Sequence, residues 1–194
     1  MTSISPENPL TSEGAQALLG RLRTRFEIKR GMSERELDGV EERWGFRFAP
    51  EHRTFLGAGL PTGGRGWPDW RDGDAEDLAE RLAWPVEGVL FDVECNDFWH
   101  EDWDPRPADV QDALEVARTH LAEVPVMAPV YSHRYLLADP DRTGTPVLSM
   151  YQTDIIYYGV DLIDYFRNEF GGPVLTAPDD DQYAPIPFWS YFLH

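Results

Sequence analysis

The sequence has a single cysteine, Cys95, a single lysine, Lys29, and no long apolar run. One cysteine excludes an internal disulfide, which fits a reducing compartment. No stretch approaches the ~18 apolar residues that a transmembrane helix needs. Residues 1–10 also lack the basic start and apolar run of a secretory signal. These absences predict a protein of the cytoplasm or of an equivalent reducing compartment, without a membrane segment.

Positive charge is scarce as well. Seventeen basic residues stand against 35 acidic ones, which gives a formal net charge of −18. Such a chain is repelled by nucleic acid phosphates and by anionic membranes, whereas a basic protein would be attracted to it and would meet it faster. The charge therefore favours a protein partner, with no nucleic acid and no membrane, although acidity also serves solubility alone.

The length of 194 residues and a hydrophobic fraction of 42% predict one domain with a real core. Residues 1–10 show no periodicity and are expected to form a flexible leader before a single domain over 11–194. Helical patterns come first and last, with short strand patterns between them and no regular alternation. This order predicts an α+β fold with a mixed or mostly antiparallel β-sheet flanked by helices. The proline-rich tail 173–194 ends in aromatic residues and is expected to pack back on the domain.

Local signals predict most elements. A helical spacing of leucines covers 12–27, Ser33 and Glu36 form a capping box, Gly45 suits a left-handed helix end, and Pro50 suits a first helical turn. The remaining expected elements are a short strand at 46–48, a helix over 74–83 stopped by Pro85, a strand at 89–93, a helix over 107–123, strands at 126–131, 147–151 and 155–158, and a helix over 161–170.

A loop rich in glycine and proline, 61–73, carries Trp67, Asp69 and Trp70. Exposed indole rings beside a carboxylate could anchor an arginine or lysine of a partner, since the ring attracts the cation and the carboxylate pairs with it. Packing of both tryptophans in the core is the alternative. The loop lacks the Lys and Ser/Thr of a phosphate-binding loop, so nucleotide binding is not expected.

The segment 92–104 holds six carboxylates, Cys95 and His100 within thirteen residues. Carboxylates beside a histidine can support metal-assisted hydrolysis, but this spacing matches no metal motif, and we assign no catalytic residue, metal or cofactor. A solvated acidic loop and a partner-binding surface are the other interpretations. The residues taken as partner-binding are Asp97, Trp99, Glu101, Asp102, Trp103 and Asp104.

The expected strand at 155–158 places Ile155 and Tyr157 on one face and Ile156 and Tyr158 on the other. If one face belongs to the core, the other offers an aromatic side chain to a partner, so Tyr157 and Tyr158 are further candidates. Ser132 and His133 are interpreted as structural, because the G-x-S-x-G pattern of a nucleophile elbow is absent.

Three stretches together resemble the SMI1/KNR4 (SUKH) family. The first is the helix–glycine–helix run 34–56, with Leu37, Gly45 and Pro50 at matching positions. The others are P-V-Y-S-H-R-Y at 129–135 and the run 147–159 with the helix that follows it. The resemblance extends over about 30–190. It implies an α+β protein-recognition scaffold without established catalytic residues, whose binding surfaces vary between members.

Many members of this family are immunity proteins that bind and block a toxin, often a nuclease. The resemblance therefore implies a non-catalytic module that neutralises a toxin, such as a basic nuclease. A regulatory or scaffold protein of the same fold without a toxin partner is the alternative, and a metal-dependent hydrolase using the carboxylates of 92–104 is a third.

Overall fold

A four-stranded antiparallel sheet lies between two hydrophobic clusters and their helices. The computed structural model describes residues 4–5, 8–64, 66–171 and 185–193. Its helices and strands, in chain order, are α1 (Ser12–Leu22), β1 (Glu27–Arg30), α2 (Glu34–Trp44), α3 (Pro50–Ala58), β2 (Gly59–Thr62), α4 (Ala75–Cys95), α5 (Val110–Leu121), β3 (Met127–Tyr131), β4 (Arg134–Leu137), β5 (Val147–Tyr151), β6 (Asp154–Gly159) and α6 (Leu162–Phe170), followed by a 3₁₀ turn, Trp189–Phe192.

The sheet has the strand order β3-β4-β5-β6, and β1 pairs separately with β2. Every strand pairing in the described part of the chain is antiparallel. Side chains alternate between the two faces of the large sheet: Leu136 and Val147 join the cluster with α1, α2, α3 and α6, whereas Leu137 and Leu148 join the cluster with α4 and α5. The expected α+β fold, with its sheet flanked by helices in a single domain, is confirmed.

The predicted helix ends in the first third of the chain are confirmed. Ser33 accepts a hydrogen bond from the main-chain N–H of Glu36, and the Glu36 side chain reaches back to Ser33, which completes the capping box. Gly45 ends α2 with φ 71°, and Pro50 is the first residue of α3. The helix expected over 12–27 is shorter, since α1 ends at Leu22 and β1 begins at Glu27.

Residues 46–48 form no strand. Phe46 and Phe48 are both buried, with their rings edge to face at 4.9 Å. Their alternating pattern came from two side chains that enter the core from an irregular segment. The predicted strands at 126–131, 147–151 and 155–158 and the helices at 107–123 and 161–170 are present with boundary shifts.

Helix α4 contradicts two predictions, because it continues through Pro85 and includes 89–93, which was expected to be a strand. Proline inside a helix leaves the carbonyl four residues earlier without its N–H donor. Here the hydroxyl of Tyr135, on β4, donates to that carbonyl, which belongs to Arg81, at 2.8 Å. A contact from the sheet therefore allows the helix to continue.

The described residues at both extremes of the chain pack on the domain. Residues 1–10 were expected to be loose, but Ile4 and Leu10 are buried, and the main-chain N–H of Ile4 donates to Asp161 at 2.6 Å. In the tail, Trp189 is buried and its indole N–H donates to the carbonyl of Pro125 at 2.8 Å. The predicted return of the tail is confirmed for residues 185–193, while 173–184 lie outside the described residues.

Candidate functional site

The loop 61–73 does not present its two tryptophans to a partner. Trp67 and Trp70 are 6% and 4% exposed. The Trp67 ring stacks on Phe170 at 5.7 Å, and the Trp70 ring meets Phe48 edge to face at 5.2 Å. Asp69 accepts hydrogen bonds from the main chain of its own loop and pairs with Lys29 at 3.2 Å. The surface interpretation of Trp67 and Trp70 is wrong, because aromatic residues from distant elements cover both rings.

The acidic segment after α4 keeps its carboxylates in solvent, and Asp97, Glu101, Asp102 and Asp104 are exposed. Its two tryptophans behave differently from each other. Trp99 is half-buried, whereas Trp103 is buried and stacks on His120 with ring centroids 5.5 Å apart, so the prediction of Trp103 as a partner anchor is wrong. This loop therefore offers charge with little aromatic surface.

The tyrosines of β6 are also poor anchors. Tyr157 and Tyr158 are half-buried and pack against opposite clusters, as strand alternation predicts. The guanidinium of Arg134 lies 3.7 Å from the centroid of the Tyr158 ring and covers it. The exposed apolar side chain of this strand is Ile156.

No cluster of metal-ligating side chains forms in the described residues. The carboxylates of 92–104 have separate partners: Asp92 bonds Thr153 and Asn96, and Asp97 pairs with Arg106. His100 is buried against the Tyr191 ring, with centroids 4.1 Å apart. This arrangement does not bring the six carboxylates to one centre.

Three large aromatic side chains outside the predicted sites form an exposed surface. Trp84, Phe91 and Tyr151 are 44%, 45% and 54% exposed, and the Trp84 and Tyr151 rings are 6.1 Å apart. We call these three residues the Trp84 surface. The signal that could have found it is the spacing of 84, 88 and 91, which lie on one side of a helix; the expected stop at Pro85 concealed it.

Two tight turns of the sheet lie beside the part of α4 that carries Trp84 and Phe91. The β3–β4 turn at Ser132 and the β5–β6 turn at Gln152 have left-handed φ angles of 53° and 56°. Both turns lie at the same end of the sheet, because the two hairpins run in the same direction. The Asp92 carboxylate accepts the main-chain N–H of Thr153 at 2.8 Å, which fixes the second turn to α4.

The exposed Trp84 ring has a defined position. The indole N–H of Trp84 donates to the main-chain carbonyl of Met150 at 3.0 Å, which fixes the ring plane although nearly half of the residue is in solvent. An aromatic group held in place before binding loses little entropy when a partner covers it. Such rings are the side chains that most often dominate binding energy at protein interfaces.

Two depressions flank the Trp84 and Tyr151 rings. The first, which we call the hairpin pocket, has a volume of about 370 Å³ and lies beside the β3–β4 turn. The second, of about 190 Å³, runs along α4 past Gly88 to Phe91. The residues that carry the chemistry of the hairpin pocket are Asp77, Glu80, Trp84, Ser132, His133 and Tyr151.

The charge around these depressions is negative. Helix α4 contains six acidic residues and one basic residue, Arg81. Glu80 and Glu87, which lie at the two depressions, are exposed. Partial burial, together with the nearby positive charge of Arg134, lowers the pKa of His133 below its usual range, so its ring is neutral at pH 7. The Trp84 surface is therefore an apolar area with an acidic rim.

No protein family matches this chain, and no curated protein or solved structure is significantly similar to it. Among the residues that the structure describes, no helix is both long and apolar enough to cross a membrane.

Proposed function

We propose that this chain is a non-catalytic protein-binding module of the cytoplasm, of the SMI1/KNR4 (SUKH) type that its sequence resembles. In this proposal it is an immunity protein that binds and neutralises a basic toxin, such as a nuclease. The observation that carries the binding role is the Trp84 surface, because its three exposed aromatic side chains line one depression, and contiguous exposed apolar area is typical of interaction sites.

Charge supports a basic partner. The net charge of −18 and the exposed carboxylates of 97–104 would draw a basic domain toward the chain. The acidic loop begins directly after α4, about 16 Å along the helix axis from Trp84 at 1.5 Å per residue. Carboxylates of the loop and of α4 would steer the partner, and the Trp84 surface would anchor it. Contact with a phosphate-binding surface of a nuclease would block its substrate.

Two alternatives remain in other classes. A regulatory protein of the same fold would use the same surface on a partner that is harmless to the cell. A metal-dependent hydrolase would need the carboxylates of 92–104 to converge, and the separate hydrogen bonds of Asp92 and Asp97 favour the binding module instead.

The test is capture of partners from the native host with three tagged baits. These are the wild type, Trp84→Ala, and a triple variant in which Asp97, Asp102 and Asp104 become asparagine. We expect the wild type to retain a basic protein that about 1 M salt releases, since the Debye length is then about 3 Å. The Trp84→Ala bait should lose it, and the triple variant should bind it more slowly.

The captured protein is then expressed alone and together with the bait. The immunity role would be established if the captured protein is toxic and the wild type suppresses this toxicity while Trp84→Ala does not. A captured protein that is harmless alone would favour the regulatory alternative, and capture unaffected by all four substitutions would reject the proposed surface.

A further inference from the structure

The hairpin pocket has the form of a receptor for one side chain of a partner. Its volume of about 370 Å³ is at the lower end of the range of small-ligand sites, about 300–1,000 Å³. The Trp84 and Tyr151 rings form its apolar walls, inclined by 58° to each other. Ser132 and His133 of the β3–β4 turn also line it.

The polar groups of the pocket are almost all occupied by internal partners. The guanidinium of Arg81 makes two bonds of 2.7 and 3.2 Å to the Asp77 carboxylate, so this pair is neutral as a whole. The hydroxyl of Tyr135 is already used by the carbonyl of Arg81. Ser132 Oγ and His133 Nδ1 lie 3.2 Å apart and satisfy each other.

Glu80 is the exception. It is exposed at the pocket and makes no ion pair with any residue in the described ranges. The neutral state of His133 leaves that negative charge uncompensated. A pocket with an uncompensated carboxylate and two aromatic walls favours a cation, because the faces of the rings are electron-rich and the carboxylate pairs with the incoming charge. An anionic group would meet repulsion from Glu80.

We infer that the hairpin pocket accepts a cationic side chain of the partner, an arginine or lysine, against the Trp84 and Tyr151 rings that line it, with Glu80 as its counter-charge. This inference rests on the proposed function, and it adds the chemistry by which a basic partner is recognised. The α4 depression beside Phe91 would then take an adjacent apolar side chain, which fits its lining of Trp84, Gly88 and Phe91.

The test uses N-acetyl-arginine amide as the probe and the neutral isostere N-acetyl-citrulline amide as its control. Both are titrated into ¹⁵N-labelled protein while the indole N–H signal of Trp84 and the amide signals of Ser132 and His133 are followed. The Trp84 signal is assigned with a Trp84→Phe sample. We expect a saturable shift of these signals with the arginine probe and none with the citrulline probe.

Two charge variants complete the experiment. Glu80→Gln should weaken binding of the arginine probe by about twofold to fivefold, which corresponds to the loss of one exposed ion pair. Glu115→Gln, an exposed helical carboxylate on α5, removes the same net charge and should leave the affinity unchanged. Equal shifts with both probes, equal effects of both variants, or no shift up to the solubility limit of the probe would each overturn the inference.

These outcomes separate the inference from the proposed function. If partner capture depends on Trp84 but the arginine probe does not bind, the cation pocket is rejected and the binding module is kept. If the arginine probe binds but no partner is captured, the cation pocket is kept and the proposed partner-binding function loses its support.

Discussion

The phenolic hydroxyl of Tyr135 donates its hydrogen bond to the carbonyl oxygen of Arg81, the acceptor that Pro85 cannot serve. The two residues are 54 positions apart in the sequence. A side chain of the sheet therefore provides the hydrogen-bond donor that the helix lacks at Pro85. Burial raises the pKa of Tyr135 above its usual range, which keeps the hydroxyl protonated and able to donate at all physiological pH values.

This relationship predicts coupling between the two positions. Tyr135→Phe should lower the free energy of unfolding by about 1–3 kcal/mol, because the partly buried carbonyl of Arg81 loses the donor that replaces the missing N–H of Pro85. In a Pro85→Ala background the same change should cost less, since the main-chain N–H of residue 85 can now reach Arg81. A double-mutant cycle by urea unfolding measures the difference, and additive effects of the two substitutions would contradict the compensation.

The contact between α4 and the β5–β6 turn predicts a second effect. A Cβ on Gly88 would come within 2.9 Å of the Cα of Gln152, which is main chain and cannot move aside cheaply. Gly88→Ala should therefore destabilise the protein by about 1–3 kcal/mol and disturb Tyr151, despite the better helix propensity of alanine.

Gly39 provides the matched control, because it also lies inside a helix and a Cβ there would meet nothing within 4 Å. Gly39→Ala should stabilise the protein by about 0.5–1 kcal/mol. Thermal unfolding of the two variants distinguishes the signs, and a stabilising Gly88→Ala would show that the helix and the turn are not in tight contact.

The buried His52 predicts a dependence of stability on pH. Burial lowers its pKa from the ordinary 6.5 to about 3, so its ring is neutral in the folded protein. Between these two values the unfolded state binds more protons, and stability should fall with decreasing pH from about 6.5 downward. The limiting slope for one proton is about 1.4 kcal/mol per pH unit.

Comparison with His52→Phe isolates this contribution. Glu51 and Asp161 have pKa values raised by burial, so their protonation acts in the opposite direction in both proteins and cancels in the difference. The phenylalanine side chain suits the site, since the His52 ring already packs edge to face on Phe48 at 4.9 Å. Urea unfolding at several pH values should give curves that diverge below about pH 6; parallel curves would exclude the assigned neutral state.

A fourth prediction separates a tryptophan for binding from one for stability. Trp189 is 1% exposed, so Trp189→Ala should cost about 3–5 kcal/mol through the cavity it leaves and the lost bond to Pro125. Trp84 is 44% exposed, and Trp84→Ala should cost only about 1 kcal/mol. If chemical denaturation finds the two changes equally costly, Trp84 is part of the core and cannot report on binding alone.

Elements set by neighbouring residues could be predicted from the sequence. The capping box at Ser33, the left-handed Gly45 and the start of α3 at Pro50 depend on interactions within a few residues, and all three are present. The course of α4 could not be predicted in this way, because its continuation past Pro85 depends on Tyr135, far along the chain.

The features of the candidate site also differ in whether neighbouring residues or the whole fold determine them. Exposure of the carboxylates at 97–104 could be predicted, since a charged side chain stays in water unless a partner compensates it. Burial of Trp67 could not, because the rings that cover it, among them Phe26 and Phe170, come from both ends of the domain. Only the folded arrangement of α4 and the two hairpins brings Trp84 and Tyr151 together.

The hydrogen bond from Ile4 to Asp161 joins positions that are 157 residues apart, so it forms only late in the synthesis of the chain. The hydrophobic cluster that includes α1 also contains residues of α6, such as Phe166, so it cannot close until the chain has been made to that point. A ribosome adds about 5–20 residues per second, so the 157 positions between Ile4 and Asp161 take roughly 8–30 s. Until α6 has been made, the apolar sides of α1 to α3 have no cover from it. Nascent chains halted before residue 161 should therefore depend on chaperones, and α6 acts as the closing element of the first cluster.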